Sequence, residues 1–119
     1  MIKPVFDVVS VRNTGNSIDA TLTVNALSEI LQGHFPDQPV VPGASTLQVV
    51  KDILADTLKA DLRLIKADNI KFLGLIVPRN DSFFLTINYQ INESFLKVNA
   101  TLASNEVISM KFQGTFLVL

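Results

Sequence analysis

The sequence predicts a two-layer α+β domain in which one long helix is covered by a curved antiparallel sheet. Two patterns carry this expectation. A 3.6-residue apolar period runs once through the chain, from Ala44 to about Ala60, and on both sides of it β-branched, partly alternating segments are separated by short polar turns. The length of 119 residues with 48% hydrophobic content then sets the scale, enough for one core and too little for two, so residues 1–119 are expected to form a single domain.

The elements follow in order. Val5 to Val11 and Ser17 to Val24 flank Asn13-Thr14-Gly15-Asn16, whose turn chemistry predicts a hairpin. In the helix, Leu47, Val50, Leu54 and Leu58, with Val49 and Ile53, give a wide apolar surface suited to burial against a sheet. Gln48, Asp52 and Asp56 recur every four residues and form its narrow polar strip. Strands are expected at Leu64 to Val77, with a break near Asp68-Asn69, and at Ser82 to Ile91, Phe95 to Ala103 and Val107 to Val118. The short polar turns between them imply an antiparallel meander. Phe83, Leu85, Ile87, Tyr89 and Ile91 alternate with Phe84, Thr86, Asn88 and Gln90, so one face of that strand is expected to be buried and the other mostly polar.

Composition excludes several chemistries. With no cysteine and one histidine, disulfides, thiol nucleophiles, thiolate sites and His-rich zinc motifs are ruled out, and no protein-supplied metal site is expected. A net charge of -1, no basic block and no tryptophan argue against nucleic acid as a partner. No apolar run approaches the roughly 18 residues needed to span a bilayer and no signal-like segment opens the chain, so a cytoplasmic protein is expected. Nucleotide, flavin and nicotinamide motifs are absent from the sequence, which implies no cofactor.

The chemistry concentrates in Gly33-His34-Phe35-Pro36-Asp37-Gln38-Pro39-Val40-Val41-Pro42-Gly43. Three prolines in seven residues fix φ and bias Phe35, Gln38 and Val41 toward extended backbone, so the only imidazole is presented by a stiff loop. Imidazole exchanges protons near neutrality, and Gly43 allows close backbone approach to a ligand where the helix begins. Helix-entry chemistry alone also accounts for Pro42-Gly43.

The pattern Gly-His-Phe-Pro-x-x-Pro-x-x-Pro-Gly, followed by a helix, closely resembles the active-site signature of the β-hydroxyacyl-[acyl-carrier-protein] dehydratases of the hotdog-fold superfamily. The resemblance extends from about Ser17 to the C-terminus. Asn69 to Pro78 is similar to the family's strand after the helix, with Leu73-Gly74 in place of a basic pair, and the N-terminal helix of many relatives has no counterpart. The resemblance implies a hotdog fold and a 3-hydroxyacyl thioester substrate, carried by an acyl-carrier protein or CoA, in fatty-acid or polyketide-type biosynthesis. His34 would remove the Cα proton as the hydroxyl leaves, the Gly43 N–H would stabilise the developing enolate, and Phe35 and Pro42 would complete the substrate-binding loop.

The family places a carboxyl group on the helix, fourteen positions after the histidine and contributed across a dimer interface, where this chain has Gln48. An amide can orient a hydroxyl or a water but cannot exchange a proton near neutral pH. Asp52 lies one turn on, roughly 6 Å along the axis, while Asp37 sits at a variable family position. A homodimer or an oligomer of dimers is implied, and Lys66, Lys71 and Arg79 are candidates for docking an acidic carrier. Three functions remain open: a dehydratase relying mainly on His34, a hotdog thioesterase, and a non-catalytic acyl-binding partner subunit.

Overall fold

The computed structural model describes residues 6–24, 43–73, 82–104 and 107–119. Among these residues six strands form one curved antiparallel sheet around a long helix, the hotdog architecture that the resemblance implied. β1 (Phe6–Asn13) and β2 (Ser17–Val24) make the expected hairpin. At its turn, Gly15 takes a φ of +97°, which favours glycine, and its N–H donates to Asn13 Oδ1 at 3.0 Å. The hairpin is fastened from a distant strand by Tyr89. Its hydroxyl is shared between the Gly15 carbonyl at 2.6 Å and Asn13 Oδ1 at 3.2 Å, and its N–H donates to the Asn16 carbonyl. Tyr89→Phe is therefore expected to cost about 1 kcal/mol in chemical denaturation; an unchanged midpoint would show that the latch contributes nothing.

The helix α1 (Gly43–Leu58) matches the predicted span to within two residues at its end. It stops in a Schellman arrangement: Lys59 adopts a φ of +53° and the Ala60 N–H donates to the Ala55 carbonyl at 3.1 Å. Val49, Val50, Ile53 and Leu54 are buried, Leu47 and Leu58 are partly buried, and Gln48, Asp52 and Asp56 are exposed, as the period requires. The buried helix residues join one cluster with the inward rows of the sheet, including Ile18, Leu22, Leu85, Ile87, Leu102 and Phe112.

β3 (Leu62–Phe72), β4 (Phe83–Asn92), β5 (Phe95–Ser104) and β6 (Val107–Val118) complete the sheet in the order β1-β2-β4-β5-β6-β3. This corrects the simple meander: only β4, β5 and β6 run as neighbours, and β3 crosses to the far edge beside β6. The expected break at Asp68-Asn69 is also corrected. The strand continues through it, and the register slips between Ala67 and Asn69, with a second slip between Leu64 and Lys66. Polar turn residues served a bulge rather than a break. Ile91 departs from its alternating row, 53% exposed near the strand end, whereas Phe83, Leu85, Ile87 and Tyr89 are buried.

Candidate functional site

The described part of the site is α1 and its surroundings. Residue Gly43 opens the helix, where the first N–H groups lack intrahelical acceptors and sit at the positive end of the dipole. The first turn has no acidic side chain to neutralise that end. His34, Phe35 and Pro42 lie outside the described residues, as do Asp37 and Arg79.

On the polar strip of α1, the Gln48 amide Nε2 donates to Asp52 Oδ1 at 2.8 Å, with both residues exposed. The four-residue spacing made this pair legible in the sequence, and the geometry joins the two groups into one unit. Behind it the helix is anchored by fully buried Thr46, Val50 and Leu54, so its outward strip is held at a fixed rotation against the sheet.

The two described docking candidates sit on β3. Lys66 forms an ion pair with Asp68 at 3.2 Å, and Lys71 pairs in register with Lys111 of β6. Through Thr115, Lys66 also shares a sheet row with Lys97 of β5. All four lysines are exposed. Lys97 and Lys111 were missed because only the strand register brings them beside Lys66 and Lys71; their alternation with buried Leu96, Val98, Met110 and Phe112 was the available signal. An open depression of about 640 Å³ beside the β1–β2 turn, lined by Asn88, Gln90, Lys97 and Asn99 among others, shares no residue with α1. No helix among the described residues is long and apolar enough to cross a membrane.

A family model described as ApeI-like, the ApeI dehydratase, matches residues 10–113. The chain belongs to the ApeI-like dehydratase family. No curated protein matches this ApeI-like chain significantly. Among solved structures, the dehydratase heterocomplex ApeI:P from Xenorhabdus doucetiae superposes with a TM-score of 0.80 at 17% identity, covering 98% of this chain and 99% of that one. An uncharacterized protein from Erwinia carotovora subsp. atroseptica gives 0.68 at 21% identity, covering 99% and 97%. A hypothetical thioesterase with coenzyme A from Streptococcus pneumoniae gives 0.69 at 12% identity, covering 96% and 85%. At these identities the structural likenesses of the ApeI-like chain establish its hotdog fold.

Proposed function

We propose that this ApeI-like chain dehydrates 3-hydroxyacyl thioesters, carried by an acyl-carrier protein or CoA, to 2-enoyl thioesters. The observation that supports this most is the family match across residues 10–113, which contains the entire Gly33–Gly43 signature and the helix it enters. The imidazole of His34 takes a Cα proton while the Gly43 N–H stabilises negative charge on the thioester carbonyl oxygen. Phe35 and Pro42 hold the acyl portion beside that loop. Because the Gln48 amide has no proton to give near neutral pH, the proton taken by His34 leaves with the hydroxyl. The C–H and C–O bonds break, the double bond forms, water departs, and the imidazole ends neutral as it began.

The site is proposed to be composite, with α1 of a second hotdog chain facing the His34 loop. β3 supports this reading: among the described residues it is an edge strand with β6 as its one neighbour, and Leu64, Ile65, Phe72 and the following Leu73 are exposed along it. Such an edge is a template for another chain. The second chain is a further copy in the first instance. A hetero-partner is the alternative, since the Xenorhabdus doucetiae structure is described as a heterocomplex.

Thioester hydrolysis is the second reading, favoured by the missing helix carboxyl group at Gln48 and by the thioesterase named among the structural neighbours. Mass spectrometry of a 3-hydroxyacyl thioester incubated with the protein, with light scattering on the same sample, separates the two. Loss of water from an intact thioester, by an assembly larger than one chain, is the expected result. Release of free acid and thiol would replace the dehydratase by the hydrolase, and a monomer that turns over would remove the composite site.

A further inference from the structure

We infer that Asp52 is a positioning residue: it turns the Gln48 carboxamide so that its oxygen is offered at the exposed face of α1, making that face selective for acyl thioesters with a 3-hydroxyl over those with a 3-ketone. This rests on the acyl-thioester reading above and adds the discriminating group. Gln48 and Asp52 stand one helical turn apart, both exposed, 2.8 Å between Nε2 and Oδ1. The direction of the amide follows from chemistry. A carboxylate only accepts, so the amide nitrogen must face it; the flipped amide would set two oxygens against each other at the same distance.

With the nitrogen turned toward Asp52, and one of its two N–H groups bonded there, Oε1 occupies the other branch of the amide, directed away from Asp52. An acceptor in that position binds a hydroxyl, which donates, and repels a ketone, which brings a second lone-pair oxygen. A helix that offered an amide N–H would do the opposite. The family's carboxyl position is thereby filled by a group that reads the hydroxyl without titrating, with its orientation set from the next turn. The pair is partly solvated, so the selectivity is expected at about tenfold, below the values that fully enclosed hydroxyl-reading sites reach.

The test uses pantetheine amides in place of thioesters, which retain the carbonyl and resist hydrolysis, bearing 3-hydroxyacyl, 3-oxoacyl or unsubstituted chains. Calorimetric titration of the full chain should show about tenfold tighter binding of the hydroxy compound than of the oxo compound. Asp52→Ala should bring that ratio close to one, because the amide is free to flip. Asp52→Lys should invert it, since an ammonium donates to Oε1 and turns the amide nitrogen outward; a purely structural role for Asp52 would not invert a preference. An unchanged ratio in both variants overturns the inference. If wild type binds none of the three compounds, the acyl-thioester reading itself falls, and the inference with it.

Discussion

Replacing His34 by alanine is expected to abolish dehydration of a 3-hydroxyacyl thioester while leaving the melting temperature nearly unchanged. General acid–base catalysis contributes about 10²- to 10⁴-fold, and in the proposed mechanism one imidazole serves for both proton removal and proton return, so both contributions would vanish together. Gln48 does not titrate, and Asp52, one helical turn on, is bonded to its amide. Steady-state rates for wild type and His34→Ala, at matched concentrations and with thermal melts of both, check this. Retained turnover removes His34 from the mechanism. A collapse of stability instead makes the histidine a structural residue of the proline loop.

Gly114→Ala is expected to destabilise the fold by about 3 kcal/mol, roughly 10–15 °C in melting temperature. A Cβ built on Gly114 would lie 2.5 Å from Cζ of Phe112 and 2.6 Å from the main-chain oxygen of Lys66. Neither neighbour yields easily. Phe112 is buried in the core and packs edge-on against Phe116, with ring centroids 6.1 Å apart. The Lys66 carbonyl is backbone of β3, held close by the register slip between Leu64 and Lys66. Phe112→Leu added to Gly114→Ala should restore part of the loss by removing the ring but leave the carbonyl clash. A melting temperature within a degree of wild type for the single variant would show that β3 shifts freely, contrary to this packing.

Much of this was legible before any coordinates. The polar strip at Gln48, Asp52 and Asp56, the buried stripe at Val50 and Leu54, and the Gly15 hairpin follow from local periodicity and turn chemistry, which depend on neighbours a few residues away. What sequence could not supply is non-local. Nothing in Leu62 to Phe72 says that its partner is β6 rather than β4, because either pairing satisfies the same backbone groups. Asp68-Asn69 carries equal signals for a turn and a bulge. Gly114 reads as an ordinary weak strand residue until Phe112 and Lys66 are seen to close on it. At the candidate site, the loop motif was legible in the residues, its family through the resemblance of that motif to a known signature, and the proximity of Gln48 to Asp52 through their four-residue spacing. The direction of the amide required the hydrogen bond.

The place of β6 in the sheet has a consequence for the order of assembly. As the chain leaves the ribosome, β3 emerges before β4 and β5, yet the strand it must pair with comes after both. Until then, Leu64, Ile65 and Phe72 belong to a segment with two open edges rather than one. The hairpin and β4 can meanwhile close over α1. β6 thus acts as the keystone, and a polypeptide cut within it would lose its own last strand and, with it, the attachment of β3. The edge proposed to receive a second chain is in this sense fixed to the rest of the fold only by the last strand to arrive.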